Sequence, residues 1–178
     1  MKATLQSSLA LVVLTLWSAT AHALELHLDS AGTRGAFSNP FNHARFFQAE
    51  AYVNWNLPWR WDLGRECHLQ TRLELTGGWM GGRGDNAGFG TLGPGFVLGW
   101  REFPLVIEAG VSPTLIGRDQ FGHTDFGTIF QFTTHAGLTW RATSHLDVGW
   151  RFEHMSNANI GPSNPGVNFY SLGAGWRF

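Results

Sequence analysis

The stretch Leu146-Asp-Val-Gly-Trp-Arg-Phe-Glu153 places apolar side chains at even positions and polar side chains or glycine at odd positions. This period of two residues is that of a β-strand, whose successive side chains point to opposite faces. Any antiparallel sheet that is buried on one face contains a few such strands. Here the pattern recurs in seven further segments: 24–29, 47–55, 69–79, 92–100, 105–112, 126–140 and 170–178. The series predicts an all-β fold of eight antiparallel strands.

The composition favours a membrane barrel over the other classes that eight strands could form. Charged residues make up 14% of the 178 residues, against about 25% in soluble domains. One cysteine excludes a disulfide scaffold, and a formal net charge of −1 offers no basic surface for nucleic acid. No segment has the roughly 18 consecutive apolar residues of a membrane helix, so a closed barrel is the way for this chain to cross a bilayer.

The first 23 residues have the features of a secretory signal peptide. Lys2 gives a positive start, residues 9–17 form an apolar run, and Ala21-His22-Ala23 fits the small-x-small cleavage pattern. We therefore predict a signal peptide over residues 1–23 and an eight-stranded transmembrane β-barrel over residues 24–178. Export behind such a peptide predicts the outer membrane of a Gram-negative cell as the location.

The alternation also predicts which side chains face the barrel interior. A small membrane barrel keeps its charges in the lumen and turns apolar side chains toward lipid. Ten charged residues share the polar faces of the predicted strands: Glu25, Asp29, Glu50, Arg72, Glu74, Glu108, Asp147, Arg151, Glu153 and Arg177. Trp55, Trp100, Trp140 and Trp176 fall near predicted strand ends, where an aromatic girdle is expected. A soluble lipocalin-like barrel would place these charges outside and the tryptophans inside, so the membrane barrel is favoured.

Glycine-rich or polar segments at 33–43, 81–88, 117–125 and 157–166 are predicted to be surface loops. One of them contains Arg83-Gly84-Asp85, an adhesion-type tripeptide, so a non-catalytic structural or adhesive barrel is one alternative function. Gly88-Phe-Gly-Thr-Leu-Gly93 matches the dinucleotide fingerprint GxGxxG, but a strand is predicted after it where the fingerprint needs a helix. No spacing of His, Cys and acidic residues suggests a metal site.

The apolar stripe of the seventh predicted strand ends in polar residues. The even positions after Phe152 are His154 and Ser156, and the same face of the eighth strand begins with Asn168. Because the 157–166 loop joins the two strands, these three side chains should meet on the outer wall. They could act there as base, nucleophile and orienting group. A polar rim where the strand leaves the membrane is the alternative interpretation.

This region resembles the outer-membrane lipid A 3-O-deacylases (PagL type). The resemblance rests on His154-Met-Ser156-Asn157-Ala158, on Asn164-Pro-Gly166 and on a final strand that ends in Arg-Phe. It implies an esterase that removes the 3-O-linked acyl chain of lipid A without a cofactor, with Ser156 as nucleophile and His154 as base.

The resemblance also implies residues that bind the substrate or the oxyanion. Asn164 would contribute to the oxyanion hole, Asn157 belongs to the same motif, and an outward Phe130 would line the substrate. The third catalytic residue of the family is usually an acid, whereas position 168 of this chain is Asn. An Asn oxygen can still accept the Nδ1–H of histidine, as Cys-His-Asn enzymes show.

The His-x-Ser tripeptide with Asn168 also resembles outer-membrane phospholipase A, a longer calcium-dependent barrel, so a phospholipase-like hydrolase is a second alternative. The expected partners are lipopolysaccharide, the lipid of the outer membrane and, through the terminal aromatic Phe178, the barrel assembly machinery. The oligomeric state is left open between a monomer and a homodimer.

Overall fold

Eight long strands close into one antiparallel barrel in the computed structural model, which describes residues 26–38 and 45–178. The barrel strands are β1 (His27–Ser38), β2 (Phe46–Leu63), β3 (Cys67–Gly82), β4 (Asp85–Trp100), β5 (Leu105–Ile116), β8 (Phe130–Arg141), β9 (Leu146–Ser156) and β10 (Val167–Arg177). Strands β6 (Gln120–Phe121) and β7 (Thr124–Asp125) form a separate two-stranded sheet in the loop between β5 and β8. No helix among the described residues is long and apolar enough to span a membrane.

Strand β1 closes the barrel by pairing with β10, from Ser30↔Arg177 to Ser38↔Phe169. A closed sheet leaves no edge of unpaired backbone groups, which hydrocarbon could not hydrogen-bond. The prediction of an eight-stranded antiparallel barrel is confirmed. The predicted signal peptide and Glu25 lie outside the described residues.

The bounds of the first strand differ from the sequence-based prediction. β1 continues to Ser38, although the sequence pattern predicts a loop from residue 33. A β-bulge between Leu28 and Ser30 moves the inward face from odd to even positions, so the alternation of residues 24–29 does not continue. Arg34 therefore faces the lumen, where its Nε lies 2.5 Å from Glu50 Oε1.

Three further segments differ from the sequence-based prediction. The predicted loop 81–88 is a two-residue turn, because Gly82 pairs with Asp85 and only Arg83 (φ 58°) and Gly84 (φ 89°) lie between them. The predicted strand 126–140 begins only at Phe130. β2 also runs past Trp55 to Leu63, so Trp55 does not lie at the end of its strand.

Phe126 belongs to an apolar cap inside one end of the barrel. Its ring lies 5.6 Å from that of Phe46 and 5.8 Å from that of Phe121, both edge-on. The cap also contains inward residues of the strand ends: Ala36, Met80, Ala87, Ile116, Met155, Val167 and Phe169. We call this the loop end, because the 117–129 and 157–166 segments leave the sheet there. The opposite, turn end carries the short connections 101–104 and 142–145. An apolar residue in this loop thus packs into the lumen, which strand alternation could not predict.

Four charged side chains form an ionic cluster in the middle of the lumen. Arg72 Nε lies 2.6 Å from Glu74 Oε1, and its Nη2 lies 2.6 Å from Glu108 Oε2. Arg151 contacts the same two carboxylates, at 2.5 Å from Glu108 Oε1 and 3.2 Å from Glu74 Oε2. All four side chains are buried. The nine described members of the predicted lumen set face inward, as predicted.

We predict that Arg151→Ala strongly destabilises the barrel. The substitution leaves Glu74 and Glu108 buried with only one guanidinium, and breaking a buried ion pair costs about 3–5 kcal/mol. Arg118→Ala is the matched control, because Arg118 pairs with Asp85 at 2.7 Å on the surface and should contribute less than about 1 kcal/mol. Urea unfolding of the refolded barrel in lipid vesicles measures both. Equal losses for the two variants would contradict the structural role of the ionic cluster.

Candidate active site

The outer face of β9 and β10 carries polar residues at the loop end. His154 pairs directly with Asn168 across the two strands, and Met155 pairs with Val167 one step further. Met155 and Val167 are 1% and 2% exposed inside the barrel, so their neighbours at even positions point outward. The alternation of these two strands therefore sets His154, Ser156 and Asn168 on the outer wall.

The structure joins His154 and Asn168 by a hydrogen bond of 2.7 Å between Nδ1 and Oδ1. An amide oxygen only accepts, so Nδ1 is the donor in this bond, and in the neutral tautomer that donates from Nδ1 the Nε2 atom carries the lone pair of a base. This is the arrangement in which the third residue of a triad holds its histidine.

Ser156 follows His154 by two residues on the same face of β9. Such positions are about 6.6 Å apart along a strand, a separation that an imidazole side chain can bridge to a hydroxyl. Across the sheet, Ser156 pairs with Phe132 of β8. The three predicted catalytic residues thus lie on one continuous patch of the outer wall.

Gly166 packs against the His154 ring, a contact that the sequence analysis does not predict. Its φ is +61°, and a Cβ built on it would lie 3.2 Å from His154 Cε1 and 3.8 Å from Nε2. Both the backbone conformation and the space favour glycine here. The only sequence signal was its place in Asn164-Pro-Gly166.

Asn157 and Asn164 hold the loop that follows Ser156. The backbone N–H of Asn157 donates to Asn164 Oδ1 at 3.0 Å, which brings the Asn164 amide next to the residue after Ser156. The Asn157 side chain is fully buried, and its Nδ2 donates to the carbonyl oxygens of Phe126 and Ser163, both at 2.7 Å. Asn157 therefore ties the 157–166 loop to the 117–129 loop rather than presenting its side chain outward.

Phe130 and Phe132 form the neighbouring part of the wall. Their rings lie 5.1 Å apart, edge to face, on the outward face of β8. Phe132 is the residue across from Ser156, and Phe130 lies one outward position beyond it. The family resemblance predicts that Phe130 lines the substrate. The position of Phe132 across from Ser156 depends on the register between β8 and β9, which a single sequence does not specify.

The charged residues of the lumen lie on the other side of the sheet from this patch. A polar lumen cavity of about 220 Å³ is lined by inward residues such as Arg141, Asp147 and Arg177. In the described part of the chain, no group of three or more His, Cys, Asp or Glu residues could hold a metal ion. The candidate site is a patch of polar side chains on an open wall, and its residue types suit acid–base and nucleophilic chemistry on a molecule that lies against the barrel.

The fold and the patch define a small outer-membrane β-barrel with a candidate catalytic group on its outer wall. The chain belongs to the lipid A 3-O-deacylase (PagL) family, whose model matches residues 47–177. A lipid A deacylase PagL from Bordetella bronchiseptica is 34% identical over 79 residues, which is 44% of this chain and 44% of the relative. The aligned part thus spans less than half of that relative's length.

The barrel is also similar to a solved structure, the crystal structure of the outer membrane enzyme PagL. The TM-score is 0.68 at 20% identity, and the match covers 82% of this chain and 97% of the other. At this identity the likeness shows the fold.

We predict that Gly166→Ala lowers turnover by displacing the His154 ring. Gly64→Ala is the matched control, because Gly64 also has a positive φ of +80° but nothing lies within 4 Å of the added Cβ. The two variants therefore share the backbone strain of about 1–2 kcal/mol, and only Gly166→Ala contacts the imidazole. Steady-state hydrolysis by purified barrels should show a fall in kcat for Gly166→Ala alone. A similar kcat for both variants would show that Gly166 does not position the His154 ring.

Proposed function

We propose that this protein removes the 3-O-linked acyl chain of lipid A by a Ser–His mechanism on the lipid-facing wall of the barrel. The observation that carries the proposal is the 2.7 Å bond between His154 and Asn168 on the same outward patch as Ser156. Membership of the lipid A 3-O-deacylase family supports the choice of substrate.

In the first half of the reaction, Ser156 Oγ attacks the ester carbonyl carbon while His154 Nε2 takes its proton. Asn168 Oδ1 accepts from Nδ1–H and keeps the ring oriented as it becomes positively charged. The tetrahedral intermediate collapses with cleavage of the bond between the carbonyl carbon and the sugar oxygen, which takes the proton back from His154. In the second half, water attacks the acyl-serine with His154 again as base, and a fatty acid leaves.

The negative charge of the tetrahedral oxygen needs hydrogen-bond donors. Asn164 is held beside Ser156 through the Asn157 N–H, and its Nδ2 donates one hydrogen to Asn159 Oδ1 at 3.0 Å. An amide nitrogen carries two hydrogens, so the second can serve the oxyanion. Asn157 supports this arrangement by anchoring the loop.

The position of the patch fits a substrate that is itself a membrane lipid. A lipid A molecule beside β9 would lay its acyl chains along the outward apolar residues and bring its ester groups to the loop end.

All proposed site residues belong to one barrel, so the mechanism needs no second copy. The exposed ring of Phe178 is proposed as the contact for the barrel assembly machinery.

The adhesive alternative loses support from the geometry of its tripeptide. Asp85 accepts hydrogen bonds from Arg118 and from the backbone N–H of Gly122, so its carboxylate is already engaged. The phospholipase alternative is tested by assaying the same preparations on glycerophospholipid with and without calcium.

We predict that Ser156→Ala and His154→Ala each abolish deacylation while the barrel still folds. Neither side chain belongs to the lumen network, so heat-modifiable migration on gels should be retained. Mass spectrometry of lipid A from cells that express each form at equal barrel levels should show loss of one 3-O-acyl group with the unchanged protein but not with Ser156→Ala or His154→Ala. His145→Ala, just before the other end of β9, is the control and should keep activity. Activity retained in Ser156→Ala would refute the mechanism.

Asn168→Leu should lower hydrolysis by up to about 10⁴, because it removes the acceptor for Nδ1–H while keeping a similar volume. Asn168→Asp and Asn168→Glu should retain or raise activity, since a carboxylate stabilises the imidazolium better than an amide does. The desolvation of a new charge near lipid offsets part of that gain. Initial rates of purified variants measure the series, and wild-type rates for Asn168→Leu would reduce the triad to a Ser–His dyad.

Asn164→Asp separates the two roles of Asn164. The carboxylate can still accept from the Asn157 N–H, and the Asn159 amide can turn so that its Nδ2 donates to the carboxylate. The loop is therefore held, but the carboxylate cannot donate to an oxyanion. We expect kcat to fall by about 10²–10³, as for other losses of an oxyanion donor, with little change in barrel stability. A fall in stability together with an unchanged kcat would assign Asn164 to the loop alone.

A further inference from the structure

The two sides of the patch differ in the size of their outward side chains. On the β10 side, Tyr170 fills the wall, with its ring 5.5 Å from Phe152, 6.4 Å from Trp150 and 6.1 Å from Phe37. On the β8 side, Phe132 lies across from Ser156, and the next two outward residues toward the turn end, Thr134 and Ala136, are small and exposed.

The small residues on the β8 side form a shallow trough that starts at the patch. Ala136 pairs with Ala109 of β5, so the trough is two residues wide. Leu138, which is 41% exposed, closes its lower end. From Thr134 to Leu138 the trough is about 13 Å long. An extended acyl chain that leaves Ser156 can lie here without displacing an aromatic ring.

Thr134 places a hydroxyl in this otherwise apolar trough. It pairs directly with His154 across β8 and β9, so it lies diagonally from Ser156, at roughly 7 Å by the geometry of such pairs. Among the described residues, its Oγ1 reaches only the His154 carbonyl oxygen, at 3.5 Å, the long limit of a hydrogen bond. A hydroxyl that faces lipid without a good partner is unfavourable, so a partner on the substrate would stabilise it.

We infer that Thr134 is a specificity-determining residue that binds a hydroxyl group of the scissile acyl chain close to the ester, as in a 3-hydroxyacyl chain. The inference rests on the proposed function, because it places the ester carbonyl at Ser156 and the chain in the trough. The third carbon of the chain then passes Thr134, and the two hydroxyls can hydrogen-bond to each other. Chains without that hydroxyl leave Thr134 unpaired and are cut more slowly.

The test uses two synthetic monosaccharide fragments of lipid A that differ only in the 3-hydroxyl of the 3-O-acyl chain. The full-length mature barrel in detergent micelles is assayed on both, as wild type, Thr134→Val and Thr134→Ser. Thr33→Val is the matched control, because Thr33 is also exposed on the outer wall but pairs with Ala51 and Ala174, away from Ser156.

Wild type and Thr33→Val should prefer the hydroxylated fragment in kcat/KM. For Thr134→Val, kcat/KM should fall about tenfold on the hydroxylated fragment and should not change on the other fragment. A tenfold fall corresponds to the contribution of one neutral hydrogen bond. Thr134→Ser should keep most of the preference. An unchanged ratio of the two kcat/KM values in Thr134→Val, or an equal fall on both fragments, would overturn the inference.

The outcome is separable from failure of the proposed function. If Ser156→Ala is inactive but Thr134→Val keeps the wild-type ratio, only the specificity role fails. If wild type cleaves neither fragment, the proposed function and this inference fail together.

Discussion

The ionic cluster in the lumen determines which way β3, β5 and β9 face. Arg72, Glu74, Glu108 and Arg151 share four close contacts and are buried. Turning any of these strands over would move its charge from this network into lipid, at a cost of several kcal/mol. Because Arg151 must point inward, the even positions of β9 must point outward. The position of His154 and Ser156 on the outer wall therefore follows from a contact in the lumen.

The candidate site adapts hydrolase chemistry to an apolar wall. Ser-His-Asp triads use a carboxylate as the third residue, and a carboxylate on the outer wall of a membrane barrel carries a desolvation cost. Asn168 supplies the same acceptor to His154 without a charge. Asn168 therefore adds no charge to that face of the barrel. Gly166 and Asn157 then set the ring and the loop, which makes the site a local unit of β9, one loop and β10.

Much of this could be predicted from the sequence because alternation is a direct consequence of strand geometry. The eight strands, the inward charges and the outward His154, Ser156 and Asn168 all follow from period two. Alternation failed where an irregularity or a lumen contact intervened. The bulge at Leu28 moved Arg34 inward, and Phe126 packed against Phe46 and Phe121 inside the cap instead of extending a strand.

Cross-strand neighbours were the part that a single sequence could not give. Phe132 and Thr134 lie beside Ser156 and His154 only because of the register between β8 and β9. The fixing of Asn157 between two loop carbonyls likewise depends on how the 117–129 and 157–166 segments meet.

Labelling with a long-chain fluorophosphonate tests whether Ser156 is an activated nucleophile on the outer wall. The reagent phosphonylates a serine that an adjacent base activates, and mass spectrometry of the digested barrel locates the adduct. We expect one adduct, on Ser156, that is lost in His154→Ala. An adduct on another serine, or none from a preparation that still deacylates lipid A, would contradict this expectation.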